Sequence, residues 1–177
     1  IFAIDYDNIE ELIVINDFST DNTRQIVESL LTRYPKLKII NNEKNLGKAG
    51  SLNRAWKLAK SELVVVVDAD SFPKHDSLKK MVGYFDDPRV GAVTCPVLVR
   101  NKNTFWSKLQ HLEYIAISFG RKLLEYVDAI YVTPGPLAVY RKTALEDIDG
   151  FDEKNMTEDI EATWHLAYNN WDRKMAL

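Results

Sequence analysis

A single cysteine, Cys95, leaves the 177-residue chain without an intrachain disulfide, and a reducing compartment is the expectation. Flanked by apolar residues, Cys95 reads as a small core side chain rather than a nucleophile. Long apolar runs are also missing: none approaches the roughly 18 residues that span a bilayer, and no signal peptide opens the chain. Positive charge is in short supply, with 23 Lys and Arg against 26 Asp and Glu, a net charge of −3 and a pI of about 5.7. No basic surface then recruits nucleic acid or anionic lipid by bulk electrostatics, and nucleic acid is not an expected partner. His75, His111 and His165 lack any mutual spacing suited to a metal site and read as surface or core residues. There is no repeat, linker or low-complexity segment. The chain starts without methionine at Ile1 and stops mid-pattern at Leu177, so both ends are expected to be cut from something longer.

What is present is globular: 46% hydrophobic and 28% charged residues, in a length that suits one domain over 1–177. The most informative stretch is Leu63 to Asp70, LVVVVDAD. Unbroken valines predict a central parallel strand covered by helices on both faces. Asp68 and Asp70 follow at its carboxyl end, the edge where open α/β sheets bind ligands. In extended chain, positions i and i+2 point the same way, so both carboxylates can converge on one hard cation or one polar ligand. The competing reading is a simple turn, because Ser71, Phe72 and Pro73 follow.

Upstream, residues 10–17 form an apolar run ending in Asn16 and Asp17, and Ile26, Val27, Leu30, Leu31 and Tyr34 mark a helix stopped by Pro35. A short strand at Leu37 to Ile40 leads into NNEKNLGKAGSLN, then a helix marked by Leu52, Ala55, Trp56 and Ala59. Strand–helix alternation of this kind predicts a parallel sheet. Downstream come a helix through Leu78, Met81, Val82 and Phe85, and a strand from Val90 to Val99 interrupted by Pro96. A long helix over 104–127, kinked near Gly120, precedes a short strand at Ala129 to Val132, the TPGP turn and the apolar segment LAVY. A last helix carries Ile160, Trp164, Ala167 and Trp171, with Glu158 and Asp159 in its first turn.

Three of these positions invite chemistry, each beside a plainer reading. Lys48 lies between two glycines at a loop-to-helix junction, which suits an anion held by its ammonium and the helix N-terminus; a solvated surface lysine is the alternative. Asp17 closes a buried strand and is also placed to cap the next helix. Asp159 starts a helix, where the dipole favours acids, with Thr157 or Asn155 as the cap.

Taken in order, IVINDFSTDNT, NLGKAGSLN, VVVVDAD and MTEDIEATWHL resemble four motifs of the family 2 glycosyltransferases of the GT-A fold, over about Glu11 to Leu166. The family counterparts are an Asp-Gly-Ser-x-Asp type turn, a Gly-Lys-x-x-x-Leu-Asn helix start, an Asp-x-Asp and a Thr-Glu-Asp. The chain looks most like the membrane-bound synthases of poly-N-acetylglucosamine, chitin, hyaluronan or cellulose. The pairing of PGPLAVYRKTAL with TEDIEATWHL is similar to the poly-N-acetylglucosamine and chitin types.

The resemblance implies a doubly wound α/β domain with a mostly parallel sheet flanked by helices, truncated at both ends. It implies inverting transfer of a hexosyl or N-acetylhexosaminyl group from a UDP-sugar to the hydroxyl of a glycan or lipid-linked acceptor. Carried over by residue, Asp17 would meet the nucleobase and Lys48 the phosphates. Asp68 would contact the nucleoside or sugar and share a metal, Mg²⁺ or Mn²⁺, with Asp70. Asp159 would be the general base. The parent protein is expected to be membrane-embedded and to act at the cytoplasmic face. The chain departs from the pattern at Phe18, where the family usually has glycine. The upstream Pro-x-Tyr-Asn-Glu strand, the downstream Gln-x-x-Arg-Trp motif and membrane helices are not in this sequence. Two rival readings are a sugar- or nucleotide-binding module, which would not need Asp159, and a nucleotidyltransferase, which relies on an early glycine-rich phosphate loop that this chain does not show.

Overall fold

The structure, a computed structural model, describes residue 1 and residues 3–177. In chain order its elements are β1 (Leu12–Asn16), α1 (Thr23–Leu30), β2 (Leu37–Asn41), α2 (Gly47–Leu58) and β3 (Leu63–Val67). Then follow α3 (Ser77–Val82), a 3₁₀ turn (Gly83–Asp86), β4 (Val90–Thr94), α4 (Phe105–Glu125), β5 (Leu137–Arg141), α5 (Lys142–Asp147), α6 (Glu158–Tyr168) and β6 (Asp172–Met175). β1 and β2 pair in parallel, with Leu12 opposite Leu37 and Asn16 opposite Asn41. The other strands form a sheet in the order β3-β5-β4-β6. There β5 runs antiparallel to both β3 and β4, while β6 is parallel to β4. Thus β3, β4 and β6 share one direction and β5 alone opposes them.

The strands buried on both faces are β5 and β4, not β3. All five residues of β5 are buried, and its side chains alternate between two cores as the strand period requires. Ala138 and Tyr140 join Trp56, Leu145, Phe151 and Leu166, whereas Leu137 and Val139 join Leu78, Met81, Phe85 and Val93. Among the described residues β3 instead pairs with β5 alone, and Val65 is 38% exposed. The valine run had predicted a central parallel strand; β-branched content reports strand, but not which neighbours the strand will have.

Other expectations shift for local reasons. β4 stops at Thr94, before Pro96, whose ring nitrogen has nothing to donate to a ladder. Residues 129–132 form no strand, although Ile130 and Val132 are buried. α4 runs unbroken through Gly120. β6 was not foreseen because its sequence, DRKM, has no apolar run; Arg173 and Met175 face inward instead. Arg173 is accommodated by donating to the Trp171 and Asp128 carbonyls at 2.7 Å each.

Three hydrogen bonds of Asn53 fix the framework around α2. Asn53 Nδ2 donates to the Phe151 carbonyl (2.8 Å), and Asn53 Oδ1 accepts from Phe151 N–H (2.9 Å) and Trp56 Nε1–H (3.0 Å). Gly150 makes this approach possible: its φ is +79°, and a Cβ there would lie 2.4 Å from Asn53 Oδ1. Gly150→Ala therefore combines left-handed strain with a clash and should cost about 2–4 kcal/mol of unfolding free energy, measured by urea titration. A loss below about 0.5 kcal/mol, the scale of an ordinary surface change, would contradict this reading of the contact.

Cys95 packs against the second core, its Sγ 3.8 Å from the Leu137 carbonyl, and burial pushes its thiol up to about 11. At neutral pH it stays protonated, as expected of a structural cysteine. An aromatic disulfide reagent at pH 8 should modify the folded protein at least about tenfold more slowly than the urea-unfolded chain. Equal rates would mean an accessible thiolate.

Candidate active site

β1 delivers Asn16 and Asp17 into a tight turn. Asn16 Oδ1 accepts from Ser19 N–H (3.1 Å), and its amide donates to Asn41 Oδ1 (2.9 Å), which locks the ends of β1 and β2 together. Phe18 takes φ +60°, the left-handed region that glycine occupies freely. The Asp17 carboxylate accepts from Leu46 N–H and Asn42 Nδ2, each at 2.8 Å. It thus secures the entry to α2 rather than capping α1. Burial alone would raise its pKa, but these N–H donors outweigh that and hold it below the ordinary 3.8. Because the folded value is depressed, this contribution to stability is present above that ordinary value and is lost as pH falls through the lower folded one.

α2 starts without a side-chain cap and places Lys48 at its second position. Lys48 Nζ lies 2.8 Å from Asp68 Oδ1, at the end of β3, and 3.0 Å from Glu158 Oε1, at the start of α6. Burial disfavours the ammonium, but the two carboxylates outweigh it and keep its pKa above the usual lysine range. The TPGP turn closes the cluster from a fourth direction. Gly135 comes so near that an added Cβ would meet Lys48 Nζ at 2.4 Å and Asp68 Oδ2 at 3.3 Å. Gly135 N–H donates to Asp159 Oδ2 (3.3 Å), while Asp159 Oδ1 accepts from Ile160 N–H (2.9 Å).

Lys48, Asp68 and Asp159, chosen from sequence, are therefore linked through Gly135 and Glu158, which were not. Glu158 was read only as an acid of a first helical turn, yet it is 8% exposed. Neighbouring helical residues project about 100° apart, so adjacent acids serve different partners: Glu158 faces Lys48 and Asp159 faces Gly135. Thr157, the N-cap of α6, makes no side-chain capping bond. Asn155 does not cap either; its Oδ1 accepts from the N–H and the hydroxyl of Thr157, each at 3.0 Å.

The strand ends at Val67, and Ser71 N–H donates to the Asp68 carbonyl at 3.0 Å, so residues 68–71 form a turn. Asp68 and Asp70 are therefore not aligned on one face by extended chain. Asp70 is exposed and, among the described residues, has no hydrogen-bond or ion-pair partner. Nor do the described residues gather three His, Cys, Asp or Glu side chains into one cluster. Asp68, with its oxygens beside Lys48, still fits a hard cation of the Mg²⁺ type, which takes one or two carboxylates and completes its shell with substrate phosphates and water.

No helix of the described residues is long and apolar enough to cross a membrane. The family model Glycosyl transferase family 2 matches residues 2–149. Poly-beta-1,6-N-acetyl-D-glucosamine synthase of Staphylococcus epidermidis is 34% identical over 167 residues, covering 93% of this chain and 40% of the relative. The synthase of the same name from Staphylococcus aureus strain COL is 31% identical over 168 residues, 94% of this chain and 40% of the relative. The chain thus spans about two-fifths of the curated relatives it matches. Among solved structures, the mannosyltransferase PcManGT from Pyrobaculum calidifontis, in complex with GDP-Man and Mn²⁺, superposes with a TM-score of 0.79 at 25% identity, covering 98% of this chain and 48% of that one. S. aureus TarS 1–349 in complex with UDP-GlcNAc gives 0.65 at 26% identity, covering 98% and 49%. A family model that covers most of the chain, and solved transferases that share its mixed sheet and flanking helices, lead to one assignment: the chain belongs to glycosyl transferase family 2 and has the GT-A fold.

Proposed function

We propose that the protein to which this chain belongs transfers a sugar from a UDP-sugar to an acceptor hydroxyl, inverting the anomeric configuration, in polysaccharide synthesis. The observation that carries this reading is the convergence of Lys48, Asp68, Gly135, Glu158 and Asp159, drawn from four separate segments, around one cation and one hydrogen-bonded carboxylate. A pure binding module needs the cation but not the carboxylate. Asp17 meets the nucleobase and Lys48 the diphosphate, where an anion replaces part of its pairing with Asp68 and Glu158. Asp68 and Asp70 would hold Mg²⁺ or Mn²⁺ together with the diphosphate oxygens; when bound, the ion neutralises charge on the leaving diphosphate. Asp159 takes the proton of the acceptor hydroxyl as that oxygen attacks the anomeric carbon from the face opposite the leaving group.

An N-acetylhexosamine donor is favoured by the names of the relatives and by the UDP-GlcNAc held by TarS. The acceptor is a growing glycan or a lipid-linked sugar, and the parent protein is membrane-embedded with this domain at the cytoplasmic face. Titration calorimetry on the full-length protein tests the donor site. UDP should bind at least about tenfold more tightly with Mn²⁺ than with chelator, and Asp70→Ala should abolish the difference. Equal affinity in both conditions for the wild type would remove the metal role.

A further inference from the structure

We infer that Thr163 is a positioning residue for Asp159, acting through a buried hydroxyl chain that ties the start of α6 to the TPGP turn; this rests on the reading of Asp159 as the base. Thr163 lies one helical turn after Asp159. Its Oγ1 donates to the Asp159 carbonyl (2.5 Å), accepts from Thr133 N–H (2.9 Å) and stands 2.8 Å from Thr133 Oγ1. Thr133 Oγ1 in turn lies 2.8 Å from the Tyr140 hydroxyl. One direction of donation uses every hydrogen: Tyr140 O–H to Thr133 Oγ1, Thr133 O–H to Thr163 Oγ1, and Thr163 O–H to the Asp159 carbonyl. Thr133 and Thr163 are fully buried and Tyr140 nearly so, which excludes water as a substitute partner.

A threonine that bonds back to its own helix is ordinary and by itself only structural. Two further observations give this one a role in the site. First, the same oxygen holds Thr133, two residues before Gly135, and Gly135 N–H is the group that meets Asp159 Oδ2. The chain therefore fixes both partners of that hydrogen bond, the turn and the helix start. Second, α6 has no side-chain cap, so its start is held by the contacts of Glu158 with Lys48 and of Asp159 with Gly135, and by the link through Thr163. A base must be held within a fraction of an ångström of its productive position, and a displacement of about 1 Å can cost ~10²-fold in rate.

The test is a double-mutant cycle in the full-length protein, with UDP-N-acetylglucosamine as donor, UDP release as the rate and UDP calorimetry for binding. Thr163→Val keeps the volume and removes the hydroxyl; kcat should fall about tenfold while UDP Kd and donor KM stay within about twofold. Thr163→Ser, which keeps the hydroxyl, should restore kcat to within about threefold of wild type. In an Asp159→Asn background, Thr163→Val should cost less than about twofold, because its effect runs through the carboxylate. Equal losses in both backgrounds, or a wild-type kcat for Thr163→Val beside an impaired Asp159→Asn, would overturn this inference alone. A near wild-type rate for Asp159→Asn would remove the base reading and this inference with it. If Thr163→Val does not fold, Tyr140→Phe deletes the first hydroxyl of the chain at constant shape; about a threefold loss of kcat, absent in the Asp159→Asn background, supports the inference, and an additive or absent loss overturns it.

Discussion

Asp159→Asn in the full-length protein should lower the rate of transfer by about two orders of magnitude or more while leaving UDP affinity within about twofold of wild type. The substitution is nearly isosteric, and the amide oxygen can still accept from Ile160 N–H, as Oδ1 does now at 2.9 Å. What disappears is the proton acceptor. The amide nitrogen would then face Gly135 N–H, donor against donor, so the helix start also loses one of its two ties to the side chain. If Asp159 served only the helix dipole, its neutralisation would cost at most about 1 kcal/mol of stability and would spare the rate. A turnover within about threefold of wild type, in a folded protein, would establish that plainer reading for the whole TED stretch.

Gly135→Ala should impair the reaction by a different route. The backbone of Gly135 is not left-handed, so alanine is allowed conformationally; the obstacle is space, with the new Cβ 2.4 Å from Lys48 Nζ. The ammonium ends a flexible side chain and will move, which leaves the fold intact. Its movement breaks the pairing with Asp68 and with the buried Glu158, and it takes from the diphosphate the cation that would receive it. Donor KM should rise about tenfold or more, whereas unfolding free energy should fall by no more than about 3 kcal/mol, the range for a partly exposed cluster that loses a charge partner. Unchanged donor KM with Lys48 displaced in a structure of the variant would remove Lys48 from the phosphate site.

The residues chosen from sequence differ in how they depend on the fold. Lys48, Asp68 and Asp159 stand out in the sequence because each marks a boundary, a strand end or a helix start, and in this topology those boundaries meet. Lys48 pairs with Asp68 directly, and Asp159 joins them through Gly135. Glu158 and Gly135 were not legible as site residues, since burial of an acid and close approach of a glycine are tertiary properties. LVVVV forms a strand but not a central one: its composition is that of a doubly covered strand, yet the inner places go to VGAVT and to LAVYR, five residues with an arginine. Arg141 can lie there because its guanidinium donates to the Val90, Phe85 and Asp87 carbonyls at 3.1, 2.7 and 3.2 Å and pairs with Glu62. Charge is tolerated in a core when every donor has an acceptor, and a linear pattern does not carry that information. β6 was missed because DRKM carries no apolar run, although Arg173 and Met175 face inward.

The proposed reaction, a single displacement with Asp159 as base, is tested most directly by the stereochemistry of its product. Proton NMR of the first linkage formed by the full-length protein from UDP-α-N-acetylglucosamine should show only the β-anomer. An α-linked product would mean retention, and one base opposite one leaving group could not account for it.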